Sequence, residues 1–186
     1  MTECSSFFGE KVRVSLVDFR KGPEPSLWFY AIAWSRQGIS AVMPIPYGLE
    51  ESELQGGLGQ FLEPLPAELR LLERYALGER VELRKLPILW PRASSFALRV
   101  WKSVHGTLCY GETGSYGELA KSLFGSSKRA RALGQALSKN PLLIVVPCHR
   151  VIGGRGNLGG YQGGPSRKAA LLRLEGIRME NLGCSD

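Results

Sequence analysis

The stretch SYGELAKSLFGSSKRARALGQALSKN, residues 115–140, decides the fold of the C-terminal half of the chain. Apolar residues recur at helical spacing on both sides of the pair Gly125–Ser126, which makes a turn, and Ser127 can cap the second helix. The apolar positions are Leu119, Ala120 and Leu123 in the first helix and Ala130, Leu133, Ala136 and Leu137 in the second. Two short helices joined by a glycine-containing turn predict a helix-turn-helix motif.

Positive charge is concentrated in the same half of the chain. Residues 1–89 hold 10 Lys+Arg and 12 Asp+Glu, a net charge of −2, whereas residues 90–186 hold 14 and 5, a net charge of +9, and the two halves sum to +7. The second helix region carries Lys128, Arg129, Arg131 and Lys139. A merely solvated basic surface would show the same asymmetry, but on a helix-turn-helix motif it favours binding to a polyanion such as DNA.

A proline-punctuated stretch, KLPILWPRAS (85–94), is the predicted linker between two domains, residues 1–89 and 90–186. After it, SSFALRVWKSVH (94–105) has its apolar residues on one helical face. Before it, the pattern predicts strands at 12–19, 26–34 and 39–45, a loop at 47–59 and a helix at 66–78. The first domain is therefore predicted to be a small α/β unit, and its sequence contains no catalytic constellation.

The chemistry is predicted in residues 140–164, NPLLIVVPCHRVIGGRGNLGGYQGG. Pro147 ends the apolar run LLIVV just before Cys148, and burial at such a place raises the pKa of a thiol. His149 can take the thiol proton, through a bridging water, and the positive charge of His149 and Arg150 favours the thiolate, which is the nucleophile. Glu175, in the helical stretch RKAALLRLEG (167–176), is the best carboxylate to orient the imidazole.

The composition argues against several other classes of protein. The four cysteines, Cys4, Cys109, Cys148 and Cys184, are widely spaced, and the chain has only two histidines, so we predict no metal site, no cofactor and free thiols. No run of 18 apolar residues and no secretory signal is visible, which predicts an intracellular protein. Its compartment would be the cytoplasm of a prokaryote or the nucleus of a eukaryote.

These residues resemble the O6-alkylguanine-DNA alkyltransferases, also called methylated-DNA--protein-cysteine methyltransferases. The active-site signature of that family, Pro-Cys-His-Arg-Val, stands here at residues 147–151. The similarity continues in the family's order and spacing from about Phe96, through GETGSYGELA, Arg131, Asn140-Pro141 and GNLGGYQGG, to Leu174-Glu175-Gly176.

The resemblance implies a role for each of five catalytic residues. Cys148 is implied as the acceptor thiol, with His149 as its base through a water and Glu175 orienting the imidazole. Asn140 is implied to brace the active-site turn, and Tyr116 to donate a proton to a guanine ring nitrogen. The alkyl group would move once and irreversibly to Cys148, in a stoichiometric, self-inactivating reaction.

The resemblance also implies a set of residues that bind the DNA or the flipped base. Arg131 would fill the gap that the flipped nucleotide leaves in the duplex, and Tyr161 and Gln162 would lie in the loop that closes over the base. The backbone N–H of Gln162 would face O6, and carbonyls of Cys148 and Val151 would accept from the exocyclic amine. The remaining implied contacts are Ser115, Lys128, Arg129, Gly163 and Gly164.

For the fold, the resemblance implies an α+β protein. A ribonuclease H-like α/β domain would precede a helical domain with a winged helix-turn-helix that binds the minor groove. The implied partner is double-stranded DNA containing O6-alkylguanine, bound by a monomer. Two alternatives remain: a lesion-binding or redox-sensing DNA-binding module without alkyl transfer, and a cysteine hydrolase built on Cys148, His149 and Glu175.

Overall fold

Three antiparallel strands form the sheet of the N-terminal half: β1 (Arg13–Asp18), β2 (Phe29–Ser35) and β3 (Gly38–Pro44), in the order β1-β2-β3. The computed structural model describes residues 12–49, 52–54, 62–154 and 157–178. β2 and β3 form a tight hairpin that needs a glycine at position 38. Gly38 has φ +130°, and a Cβ there would lie 2.5 Å from the carbonyl oxygen of Pro87.

Helices dominate the rest of the chain. They are α1 (Leu71–Ala76), α2 (Ser95–Thr107), α3 (Tyr116–Phe124), α4 (Ala130–Leu137) and α5 (Pro165–Leu174). Two further strands, β4 (Gly114–Ser115) and β5 (Val151–Ile152), pair in parallel. Short 3-10 turns cover Phe19–Lys21, Pro25–Leu27, Ala67–Leu69, Leu83–Lys85, Ser127–Arg129 and Cys148–Arg150.

Helix α3 shows how local sequence sets these boundaries. The Ser115 hydroxyl accepts from the backbone N–H of Glu118, and the Glu118 carboxylate accepts from the backbone N–H of Ser115, which is a capping box. The helix ends at Gly125, which has φ +72°. After the 3-10 turn Ser127–Arg129, α4 packs against both α2 and α3.

Three sequence predictions differ from the structure by more than a shift of one or two residues at the end of an element. Strand β2 begins at Phe29 instead of 26, because Pro25–Leu27 forms a 3-10 turn. The helix predicted at 66–78 is split into the 3-10 turn Ala67–Leu69 and the six residues of α1, a tightening that is common at helix N-termini. Within the predicted loop at 47–59, residues 52–54 are helical, and positions 50–51 and 55–59 lie outside the described residues.

A single hydrophobic core spans both halves of the chain. It includes Ile32 and Val42 from the sheet, Val104 from α2 and the whole run Leu142–Val146. That run is buried as predicted, but it consists of turns held against the edge of β3. The Val42 N–H donates to the Pro141 carbonyl at 2.8 Å, and the Leu143 N–H donates to the Val42 carbonyl at 3.2 Å. In the described ranges, no helix is both long and apolar enough to cross a lipid bilayer.

Candidate active site

Cys148 begins a 3-10 turn at the end of a strained, buried segment. Ile144 has φ +69°, which is costly for a β-branched residue and persists only where the surroundings impose it. Here they do, because the N–H of Val146 donates to the Leu142 carbonyl at 2.8 Å and the N–H of Cys148 donates to the Val146 carbonyl at 2.7 Å. The backbone therefore fixes where the thiol lies before any side chain contributes.

Asn140 fixes the thiol itself. Its Nδ2 lies 3.3 Å from the Cys148 Sγ and donates to the Val146 carbonyl at 3.1 Å, while its Oδ1 accepts from the Leu142 N–H at 3.0 Å. Cys148 is only 5% exposed. Burial raises the pKa of the Cys148 thiol to about 11, although the Asn140 hydrogen bond and the Lys168 ammonium both oppose this. At neutral pH the thiol is protonated, so it needs a base.

His149 and Glu175 form a fully buried pair next to it. The His149 Nε2 lies 2.8 Å from the Glu175 Oε1. Burial lowers the pKa of His149, against the opposing effect of Glu175, so the imidazole is neutral at neutral pH. Because a carboxylate only accepts, Nε2 carries the proton and Nδ1 carries the lone pair. Nδ1 is buried and has no hydrogen-bond partner among the described residues.

Arg150 acts differently from its predicted role. Its Nε donates to the Glu175 Oε2 at 2.8 Å and its Nη2 to the Glu175 Oε1 at 2.9 Å, and its Nη1 donates to the Leu108 carbonyl. Burial alone would raise the pKa of Glu175, but His149 and Arg150 hold it well below its usual range. The prediction that Arg150 favours the thiolate was therefore wrong, because its charge is neutralised by Glu175.

The cation that does act on Cys148 is Lys168, which the sequence analysis missed. Its side chain is fully buried, and its Nζ donates to the carbonyls of Val151, at 2.6 Å, and Leu158. Burial lowers the pKa of Lys168 to about 8, and Cys148 opposes the shift. The available signal was its position in α5, three residues before Leu171 and seven before Glu175, which places all three on one helical face.

Tyr116 lies near Lys168 and Gly159. The Lys168 Nζ lies 5.8 Å from the centroid of its ring, and a Cβ at Gly159 would lie 3.3 Å from its hydroxyl oxygen. Burial, and then Cys148, raises the pKa of Tyr116, so the phenol is protonated and can donate. A Cβ at Gly134 would lie 3.5 Å from the same ring, so α4 borders this side of the site.

The loop at 157–164 covers the imidazole. The Tyr161 ring meets the His149 ring edge to face, with centroids 6.4 Å apart. Gln162 is exposed, and its Nε2 lies 3.9 Å from the Met43 Sδ of β3. A Cβ at Gly163 would lie 2.7 Å from the Tyr161 ring, so this position needs a glycine for close approach. The roles implied for Tyr161, Gln162, Gly163 and Gly164 stay predictions.

The residues implied to contact DNA lie on the surface around the start of α4. Lys128, Arg129 and Arg131 are exposed, and Arg131 is the second residue of that helix. Arg131 and Lys128 have no ion pair with any residue in the described ranges. Ser115 is different, because its hydroxyl is engaged with Glu118 in the capping box. Its implied contact with DNA stays a prediction.

Another residue that the sequence analysis missed comes from the N-terminal half. The Tyr75 hydroxyl donates to the Glu175 Oε1 at 2.6 Å. In the sequence, Tyr75 is simply one apolar position of an amphipathic helix, and nothing there connects it with residue 175. Among the described cysteines, Cys109 and Cys148 are free thiols. Cys4 and Cys184 lie outside the described residues.

The fold and the site define a protein in which a buried cysteine stands next in the chain to a hydrogen-bonded histidine–glutamate pair, in the same half as an exposed basic helix start. The family described as 6-O-methylguanine DNA methyltransferase, DNA binding domain, matches residues 95–177. A methylated-DNA--protein-cysteine methyltransferase of Archaeoglobus fulgidus is 46% identical over 114 residues, which cover 58% of this chain and 73% of that protein. The chain belongs to the methylated-DNA--protein-cysteine methyltransferase family.

Other relatives agree in sequence and in structure. The enzyme of the same name from Mycobacterium bovis is 54% identical over 87 residues, 47% of this chain, and the match spans about half (52%) of that relative's length. The crystal structure of Mycobacterium tuberculosis OGT in complex with DNA has a TM-score of 0.66 and 31% sequence identity. It covers 91% of this chain and 98% of that one, so the mixed α/β fold is shared over both halves.

Proposed function

We propose that the protein repairs DNA directly, by moving an alkyl group from the O6 atom of guanine onto Cys148, once per molecule. The observation that carries the proposal is the buried Cys148 thiol, held by Asn140 next to a neutral His149 that is hydrogen-bonded to the Glu175 carboxylate. The names of the relatives support the same reaction.

The chemical step is a displacement at the alkyl carbon. The thiol proton goes to the His149 Nδ1 through a water, a bond forms between the Sγ and the alkyl carbon, and the bond from that carbon to O6 breaks. The electron pair of the broken bond stays on guanine, which Tyr116 protonates so that it leaves as a neutral base. Lys168 lies beside both Cys148 and Tyr116, where its charge stabilises the negative charge that passes between them.

The raised pKa of Cys148 makes the base necessary. With a pKa of about 11, only roughly one thiol in 10⁴ would be ionised at pH 7 without help. A neutral His149 provides that help, and the carboxylate of Glu175 stabilises the imidazolium that forms. The thioether product is stable, and no described residue of the site offers a route to remove it, which supports a single turnover.

The DNA-binding part of the proposal rests on the C-terminal half. Helices α3 and α4 would act as a winged helix-turn-helix in the minor groove, in a domain of residues 90–186 that follows a ribonuclease H-like domain of residues 1–89. Arg131 would replace the flipped base in the stack, which offsets part of the unstacking cost of a few kcal/mol. The exposure of Arg131 and the DNA complex of the Mycobacterium tuberculosis relative support this. We expect a monomer that acts in the compartment that holds the DNA.

The test is the intact mass of the protein after incubation with duplex DNA that contains O6-methylguanine. We expect a single gain of one methylene, located on Cys148 by peptide mapping and absent from Cys148→Ala. The same duplex with unmodified guanine is the control. Tight binding to the lesion without a mass change would contradict the proposal and favour a lesion-binding or redox-sensing module.

A further inference from the structure

The N-terminal half reaches directly into the group of residues around Cys148. Tyr75 in α1 and Glu175 at the end of α5 are 100 residues apart in sequence, yet their side chains are joined by a 2.6 Å hydrogen bond. Both side chains are buried, Tyr75 completely. The pair therefore lies inside the core and is shielded from competition by water.

The ring of Tyr75 is fixed on two sides. The Phe19 ring lies 6.2 Å away at 74°, and the Tyr110 ring lies 5.9 Å away at 80°, both in edge-to-face geometry. Burial raises the pKa of Tyr75 well above its usual value, and Glu175 adds to the effect. The hydroxyl is consequently always protonated, and it can only donate to the carboxylate.

The two carboxylate oxygens of Glu175 accept different numbers of hydrogen bonds. Oε1 accepts from Tyr75, from the His149 Nε2 at 2.8 Å and from the Arg150 Nη2 at 2.9 Å. Oε2 accepts from the Arg150 Nε at 2.8 Å and from the Gly111 N–H at 3.3 Å. Three donors therefore share the negative charge of the oxygen that faces the imidazole, and Tyr75 makes the shortest of the three bonds.

We propose that Tyr75 is a positioning residue for the transfer reaction: its hydroxyl holds the Glu175 carboxylate in place and limits how strongly that carboxylate attracts a proton onto His149. The proposal rests on the proposed function. A carboxylate that shares its charge with Tyr75 still orients the imidazole through Nε2, but it stabilises the imidazolium less. Tyr75 therefore helps to keep His149 neutral and ready to accept the thiol proton.

Other charged and titratable groups also act on His149 and Glu175, and Tyr75→Phe leaves them in place. Those that act on the imidazole are Glu175, Arg150, Lys168 and Tyr161, and Cys148 precedes His149 in the chain. Those that act on the carboxylate or the Tyr75 hydroxyl are His149, Arg150, Tyr110 and Tyr161. Arg150 is in turn affected by Glu82, and Tyr110 by Arg80.

Tyr75→Phe removes a single oxygen atom, and Tyr110→Phe is its matched control. Tyr110 is also buried, and its ring packs against Phe19's neighbour Tyr75. Its hydroxyl, however, donates to the backbone carbonyl of Leu174 at 2.8 Å and not to Glu175. The chain has only two histidines, so ¹⁵N-histidine labelling gives only the imidazole signals of His105 and His149. An NMR titration then reports the pKa of His149 without any alkyl transfer.

In Tyr75→Phe we expect the pKa of His149 to rise by about half to one unit. The Glu175 Oε1 no longer shares its negative charge with the Tyr75 hydroxyl, so it stabilises the imidazolium more strongly. The rate of self-alkylation should show the same shift: its acid limb moves to higher pH, and the rate below that limb falls about three- to tenfold. Tyr110→Phe should leave both midpoints unchanged.

Three results would overturn the proposal or separate it from its premise. The proposal is overturned if the pKa of His149 is unchanged in Tyr75→Phe and the rate losses equal those of Tyr110→Phe at every pH. Tyr75 would then contribute only packing. If Tyr75→Phe fails to fold, ¹³Cζ-tyrosine labelling of the wild type decides instead, since the Tyr75 signal must titrate with the His149 midpoint or the proposal is wrong. A wild type that never accepts an alkyl group refutes the proposed function, whereas the titration of His149 still tests Tyr75.

Discussion

The buried cluster around Cys148 and the exposed basic surface at the start of α4 differ in how their polar groups are paired. In the buried cluster, defined by Asn140, Cys148, His149, Arg150 and Glu175, nearly every polar atom is bonded to another part of the chain. On the basic surface, defined by Lys128, Arg129 and Arg131, the charges face solvent.

This difference in pairing implies that the two regions have different roles. Groups in the buried cluster are held in place by bonds that were formed on folding, so their geometry and their proton affinities are preset. Charges on the basic surface are exposed, so a ligand can reach them and salt screens them. Substitutions in the cluster should therefore change both the chemistry and the stability, and substitutions on the surface should change only binding to DNA.

The largest effect is expected for Glu175→Gln, which keeps the shape of the side chain but removes its charge. Arg150 loses a buried ionic partner. The amide of glutamine has only one acceptor oxygen, so it cannot accept all five hydrogen bonds that the Glu175 carboxylate receives, and it stabilises the imidazolium of His149 less. We expect the rate of alkyl transfer to fall on the order of a thousandfold and the free energy of unfolding to drop by about 3–5 kcal/mol. Single-turnover kinetics and urea unfolding measure the two losses, and wild-type stability in this variant would contradict the description of the cluster.

Arg131→Ala tests the basic surface. If Arg131 fills the gap left by the flipped base, as proposed, its loss should slow transfer from duplex DNA by roughly thirtyfold, about 2 kcal/mol. Transfer from the free base O6-benzylguanine and the urea midpoint should stay unchanged, because the Arg131 side chain is exposed and is not part of the hydrophobic core. Lys139→Ala, at an exposed position beyond the end of α4, is the matched control. An equal loss with the free base would mean that the two regions are not separable.

Gly163→Ala tests the loop over the imidazole. The added Cβ would lie 2.7 Å from the Tyr161 ring, so the loop must shift at an expected cost of about 1–2 kcal/mol. We expect the transfer rate to fall about tenfold with both duplex and free base. Gly160→Ala, where a Cβ meets nothing within 4 Å, should behave as wild type in the same assays. A fall in transfer rate with duplex DNA alone, and not with the free base, would mean that the loop acts in DNA binding, like the basic surface.

The smallest and most selective effect is on stability as pH is lowered. Burial lowers the pKa of His149 from its ordinary 6.5, and that of Glu175 is held below its ordinary 4.5 by His149 and Arg150 against the effect of burial. In both cases the unfolded chain binds more protons, so stability is present above the unfolded pKa and is lost below about pH 6.5 and further below about pH 4.5. Urea unfolding across this range should show the first loss in the wild type and not in His149→Gln.

Sequence reasoning identified the five residues of the buried cluster and the helices that carry the basic surface. It missed two buried residues that interact with the cluster. The chain order of helices α2 to α5 and the residues near Cys148 follow from periodicity, caps and the Pro-Cys-His-Arg-Val signature, because these signals are local. Lys168 and Tyr75 were missed because their importance comes from burial beside residues that are distant in sequence. Arg150 was misread for the same reason, since the carboxylate that neutralises it is 25 residues away.

The contact between β3 and residues 141–143 has a consequence for solubility. β3 is at one end of the three-stranded order, and an edge strand with free N–H and C=O groups invites pairing with another molecule. Val42 satisfies both of its groups with Pro141 and Leu143, so the segment that leads to Cys148 also covers part of this edge. Any change that loosens residues 141–146 uncovers it, and such variants should aggregate as well as lose activity.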